Sequence, residues 1–279
     1  MNRSLTLMTA AAGTLALTAA SAAGVGIGEE LFAYSAAVSV QGLNGGTGWS
    51  TDWSNSGSSN VVAATGLSYS DVNGDSLVTS GKALEVAGNS PTDNTANGFR
   101  NVSVTGSEIW ASTLIRVDGT GNVALQLRDD SGDSSNNDVS VRYSDGNFDI
   151  ITEEASNDIN VTSGVSTTGT YLMVMQIVQD GVSAGNDEVN FWVDPDIGGA
   201  APAPTASMSS PGLSFENLNR VLIPVFDGTD PFGEYIYDEI RVGTSFADVT
   251  PIPEPGSAAL VGLGALLVLR KPTRRCDLD

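Results

Sequence analysis

The chain has 279 residues, with 12 Lys and Arg against 33 Asp and Glu, a formal charge of −21, no His and one Cys. So acidic a surface repels phosphate backbones, so nucleic acid is not expected as a partner. The lack of His removes the commonest general base, the Ser-His and Cys-His nucleophile systems and the usual zinc ligand, and Cys276 alone can close no internal disulfide.

Residues 1–23 place Arg3 before an apolar stretch around Leu5, Leu7, Met8, Leu15 and Leu17, and end in Ala20-Ser21-Ala22-Ala23. One positive charge, a short apolar core and a small-residue exit describe a secretion signal, a helix to be removed on export. Residues 24–250 follow as one expected domain, a length that all-β sandwiches commonly reach as a single unit.

Within that body no segment repeats apolar residues at helical spacing, whereas alternation with a period of two recurs. Ile109, Ala111, Thr113, Ile115 and Val117 share one face, with Trp110, Ser112, Leu114 and Arg116 on the other. Val123, Leu125 and Leu127 oppose Ala124, Gln126 and Arg128, and Val189, Phe191 and Val193 oppose Glu188, Asn190 and Trp192. Ile236, Ile240 and Val242 are assigned one face together with Asp238, and Glu239 and Arg241 an exposed pair on the other. Such a pair stabilises by only about 0.2–1 kcal/mol. The near-continuous apolar runs 171–178 and 221–226 predict central strands, although Pro224 argues for a bulge or an edge. Clusters of Gly, Asn, Asp and Ser supply the turns, and residues 195–211 read as one long surface loop. Many short strands with this punctuation predict an all-β fold of two antiparallel sheets, a sandwich or jelly roll.

After the body come Pro253-Glu254-Pro255, a charge-free apolar stretch to Leu269, and the basic cluster Arg270, Lys271, Arg274 and Arg275. This order resembles the PEP-CTERM sorting signal of Gram-negative bacteria. The resemblance implies a tail, residues 251–275, that enters the inner membrane transiently and is cut near the box by an exosortase-type protease, or else is retained uncut as an anchor, after the export machinery has delivered the body to the cell envelope or its outer surface. Residues 256–269 as a helix would span about 21 Å, short of the roughly 30 Å hydrocarbon core, so the segment is a marginal permanent anchor. The basic flank is expected to stay cytoplasmic, which places the body outside.

Three runs in the body are similar to laminin-G and concanavalin A-like jelly rolls: Leu43 to Trp49 with Trp53, Glu188 to Pro195, and Tyr237 to Val249. That resemblance implies the fold and no particular activity, since the same sandwich hosts lectins, lyases, glucanases and adhesive modules. Related glucanases carry a Glu-x-Asp-x-Glu strand. The nearest run here, Glu234-Tyr235-Ile236-Tyr237-Asp238, puts Ile236 where the middle carboxylate would stand. Trp49, Trp53, Trp110 and Trp192 are candidate sugar-contacting rings, or core residues. Asp129, Asp130, Asp133 and Asp138 are candidate calcium ligands, or a solvated hairpin loop. Asp71, Asn73 and Asp75 fail the EF-hand pattern, with Gly74 in fourth place and Lys82 in twelfth, and read as a turn. The expected function is a non-enzymatic structural or extracellular polysaccharide-binding module. A polysaccharide-cleaving enzyme and a calcium-stabilised adhesin are the alternatives.

Overall fold

The computed structural model describes residues 27–253 apart from 57–59, 64, 80, 88–94, 120, 130–137, 153–158, 164, 184–185, 210–214, 216–217 and 227–233. The predicted secretion signal lies outside the described residues, as does the predicted sorting tail beyond Pro253, including Glu254, Pro255 and the basic cluster. Among the described residues no helix is long and apolar enough to cross a membrane.

The first strands are β1 (Gly28–Glu30), β2 (Ser54–Ser56), β3 (Asn60–Val62), β4 (Leu84–Ala87) and β5 (Thr95–Asn101). They are followed by β6 (Glu108–Asp118), β7 (Asn122–Asp129), β8 (Val139–Ser144), β9 (Asn147–Thr152) and β10 (Ile159–Ser163). The last are β11 (Thr168–Ser183), β12 (Asn186–Val193), β13 (Ala206–Ser209), β14 (Leu218–Phe226) and β15 (Glu234–Gly243), before the short helix α1 (Phe246–Val249). All pairings are antiparallel. One sheet runs β13-β12-β11-β6-β15-β4-β3, with β1 also paired to β15, and the other runs β10-β9-β8-β7-β14-β5-β2. The described residues thus form an antiparallel two-sheet jelly roll, as the sequence implies.

Alternation builds the core. Ile109, Ile115, Met173, Met175 and Phe191 from the eight-stranded sheet meet Val123, Leu125, Val141, Phe148 and Ile223 from the seven-stranded one, all buried. Much of the outer side of the eight-stranded sheet is buried rather than half-exposed. Trp110, Leu114, Leu172, Val174 and Trp192 form a second buried cluster under Leu67, Tyr69, Leu77, Ile197, Phe246 and Val249. Residues 63–83, the start of the long loop and α1 therefore roof over much of this face. The Asp71 turn helps hold the roof: its carboxylate accepts from Asn73 N and Asp75 N, and from Ile197 N in the long loop. That loop is not wholly irregular, because Ala206–Ser209 returns to pair with β12 as an edge strand.

Two local expectations need correction. In β15 the register against β6 shifts between Asp238 and Arg241, and Glu239 has φ +52°, a left-handed conformation that marks a bulge. The bulge breaks alternation. Ile236 packs in the outer cluster while Ile240 and Val242 enter the core between the sheets. It also buries the Glu239 and Arg241 pair, whose side chains are 0% and 2% exposed. The pair is a desolvated contact rather than a surface one.

Pro224 lies neither at an edge nor at a bulge. It stands in β14 between β5 and β7, opposite Asn97. Its missing N–H is replaced from across the core by Tyr237 of β15. Ala124 N donates to the tyrosine hydroxyl at 3.1 Å, and the hydroxyl lies 3.1 Å from Ala124 O and 3.0 Å from Pro224 O. The proline is tolerated because a side chain from the opposite sheet completes the hydrogen bonding there.

Candidate functional site

At the end of the outer face where the roof stops, four neighbouring strands set polar side chains in a row. By register, Gln176 of β11 lies opposite both Trp110 of β6 and Asn190 of β12, and Asn190 lies opposite Ser207 of β13. Ser207 Oγ donates to Asn190 Oδ1 at 2.5 Å, Asn190 Nδ2 to Gln176 Oε1 at 3.1 Å, and Gln176 Nε2 to Glu108 Oε2 at 3.1 Å. The chain of donors runs one way across the sheet and ends on a carboxylate, which fixes the orientation of both carboxamides. Each carboxamide has a second N–H and a second carbonyl lone pair beyond those used in the ladder. Glu108 and Ser207 at its two ends are exposed, Gln176 is half-buried and Asn190 is buried.

The ladder is walled by aromatic rings. Trp110 and Trp192 stack with centroids 5.1 Å apart, and Phe246 of α1 meets the Trp110 ring edge-on at 5.7 Å. The Trp110 indole N–H points to Glu108 Oε2 at 3.4 Å, and that of Trp192 donates to Pro202 O at 3.0 Å. The fold thus brings together two of the four predicted tryptophans, but buried in the wall rather than as an open platform, at 5% and 3% exposure.

Trp49 and Trp53 form a separate pair around Arg100, whose guanidinium carbon lies 5.1 and 5.7 Å from their ring centroids. Trp53 is buried and donates to Glu30 Oε2 at 2.9 Å, and the Trp49 indole donates to Glu29 O at 2.9 Å. Glu30 also accepts from Phe32 N, the Tyr34 hydroxyl and Arg100 Nη1. Burial, with Glu30 beside it, pushes the Tyr34 hydroxyl up to about 12.

Of the four predicted calcium ligands, Asp130 and Asp133 lie outside the described residues. Asp129 ends β7. Asp138 is buried, 3.5 Å from Arg128 Nε and 3.2 Å from the Gln126 amide. Among the described residues no three carboxylates converge on one point. In the glucanase-like run, Asp238 is roofed: its two oxygens accept from Leu67 N at 2.6 Å and Glu239 N at 2.9 Å. Burial nevertheless pushes its carboxyl up to about 8, with the nearby Glu239 carboxylate adding to the rise.

The sequence reading passed over Glu108, Gln176, Asn190 and Ser207. Gln176 and Asn190 do carry a signal, because each stands between apolar neighbours within an apolar run of its strand, where an unpaired polar group is costly.

No family model matches the chain, and no curated protein matches it. By fold the body is similar to an endo-acting O-glycanase expressed by members of the human gut microbiota to initiate mucin breakdown, at 11% identity and a TM-score of 0.50 over 78% of this chain and 98% of that one. It is also similar to a β-glucanase of Bacillus licheniformis, at 12% identity and a TM-score of 0.45 over 75% of this chain and 98% of that one. A seed lectin of Lotus tetragonolobus aligns at 11% identity and a TM-score of 0.39, over 73% of this chain and 94% of that one.

Proposed function

We propose that the protein is a non-enzymatic polysaccharide-binding module, and that the ladder from Ser207 to Glu108 is where it holds a glycan. The observation that carries this reading is the one-way hydrogen-bonded row across four strands. Sugar hydroxyls both donate and accept, and a rigid row of amide, hydroxyl and carboxylate groups with spare capacity of both kinds complements them without a mobile part. Strands set the row at a repeat of about 4.8 Å, close to the length of one sugar ring. The aromatic wall keeps water from one side of the row, which strengthens each polar contact.

The sequence of the two ends supplies the setting. The secretion signal and the PEP-CTERM-like tail support delivery to the envelope or extracellular matrix, with an exosortase-type protease as the processing partner. Mass spectrometry of the protein from cells with and without such a protease tests that part, and an identical C-terminus in both would refute it.

Probing the full chain on a glycan array tests the binding reading. Binding to a neutral polysaccharide class is expected, with Gln176→Ala and Asn190→Ala each weakening it by about tenfold while the melting temperature identifies any variant that has merely unfolded. Binding unchanged in both folded variants would refute it.

One observation favours an enzymatic reading. Glu108 and Glu188 both lie opposite Val178, on strands either side of β11. Their backbones stand two strand spacings apart, about 10 Å, near the separation of carboxyls in inverting glycosidases. Release of reducing ends that disappears in both Glu108→Gln and Glu188→Gln would establish that alternative.

A further inference from the structure

Seven basic residues lie between positions 24 and 250, and six of them meet a partner. Lys82 Nζ donates to Tyr34 O, Arg100 to Glu30 and Arg220 to Asn101, while Arg128, Arg142 and Arg241 face Asp138, Asp149 and Glu239. Arg116 on β6 differs from all of them. Its Nε is buried and donates to nothing, and its two terminal nitrogens bond no described residue and are open to solvent. A buried donor without an acceptor costs stability, and in so acidic a chain a counter-charge is easily supplied, so an arginine kept clear of one is not an incidental result of composition.

Register sets Arg116 on the outer face of the eight-stranded sheet, opposite Thr170 of β11 on one side and Ile236 of β15 on the other, with Glu85 of β4 beyond Ile236. The ladder lies six residues back along both β6 and β11, at Trp110 and Gln176, about 20 Å away, and the roofed Leu114 and Leu172 stand between. Arg116 and Thr170 are half-buried and Ile236 is buried. Side chains directly opposite on neighbouring strands stand about 5 Å apart, so the guanidinium and the Thr170 hydroxyl, which also bonds no described residue, are neighbours beside an apolar side chain. Asp118 shares the face two residues on, and Glu85 is two strands away; neither pairs with Arg116. Their backbones are about 7 and 10 Å from that of Arg116, distances over which saline, with a screening length of about 8 Å, weakens their repulsion of an incoming anion.

We propose that Arg116 and Thr170 form a second binding site, at the opposite end of the outer face from the ladder, that holds the carboxylate or sulfate group of an acidic sugar. A guanidinium presents paired N–H groups that match a planar oxyanion, and an oxyanion on the fork supplies the counter-charge that the protein withholds. The Thr170 hydroxyl donates to the same group or to a ring hydroxyl beside it. The choice of a sugar as carrier rests on the polysaccharide-binding reading. The anion site itself does not, because it stands on a different row of residues from the ladder.

The test titrates the full chain, at physiological salt, with a uronic acid trisaccharide, a sulfated trisaccharide and a neutral one. At least one anionic ligand is expected to bind about tenfold or more tighter than the neutral one, and the arm that does so names the carboxylate or the sulfate as the source. Arg116→Met keeps the apolar stem and removes the fork. It should abolish that preference while the melting temperature stays the same or rises, since an unsatisfied donor is lost. Arg116→Lys, which keeps the charge without the fork, should weaken the preference, and Gln176→Ala on the ladder should leave it intact. Neutral binding that is absent or insensitive to Gln176→Ala would count against the ladder alone. No preference for either anionic ligand, a preference that survives Arg116→Met, or one lost in Gln176→Ala would overturn the proposal. A lower melting temperature in Arg116→Met would make the guanidinium a structural group and overturn it equally.

Discussion

The hydroxyl of Tyr237 sits where β14 cannot supply an N–H, and this buried contact joins the two sheets at their centre. Burial raises its ionisation far above the usual tyrosine value, so it stays a neutral hydroxyl. Tyr237→Phe should destabilise the fold by about 1–3 kcal/mol in urea unfolding, since Ala124 loses its partner there. Asp238 makes a prediction in pH. Its folded-state value of about 8 stands above the ordinary 3.8, so between the two the folded chain keeps a proton that the unfolded chain has released. Its contribution to stability is therefore greatest below about pH 4, declines as pH rises toward 8 and is flat above that. Asp238→Asn should flatten that part of the stability profile in denaturant titrations at a series of pH values, and an unchanged slope would contradict the assignment. Neither role was legible in the sequence. Alternation as read from the sequence sets Tyr237 on the face of Glu239 and Arg241; only the bulge lets it share the core with Ile240, and nothing local says that its hydroxyl meets a proline from another sheet.

Short strands at the edge of the eight-stranded sheet owe their place to buried polar contacts. β1 has three residues, and Glu30 at its end pairs with Arg100 of β5 in the opposite sheet, both side chains fully buried. Glu30→Ala leaves the arginine buried without its counter-charge and should cost about 3–5 kcal/mol in thermal or chemical unfolding, whereas a surface ion pair would cost under about 1 kcal/mol. Elements with clean alternation, β6, β7 and β12, were legible because period two and one buried face coincide. The bulge in β15 was not, because it depends on the partners: β4 pairs with residues 234–237 and β1 with residues 240–242, and the shift falls between them. β13 escaped for a related reason. Its sequence Ala-Ser-Met-Ser is weakly patterned, and the edge of β12 is what orders it.

At the level of the whole chain, composition and patterning made the two-sheet fold readable, while the candidate binding face was not. The ladder is assembled from four strands whose order in space, β6-β11-β12-β13, follows from topology rather than from any one segment. Two of the predicted tryptophans, Trp110 and Trp192, lie beside the ladder, but their rings form its wall, and in the proposed reading the amides beside them face the glycan. The account depends on a glycan lying along that row. The most direct test follows side-chain amide and indole N–H resonances of the full chain by nuclear magnetic resonance as a neutral oligosaccharide chosen from the array is added. Shifts concentrated in the Gln176 and Asn190 carboxamides and the Trp110 and Trp192 indoles are predicted. Saturable binding that moves other signals and leaves those four unmoved would contradict it.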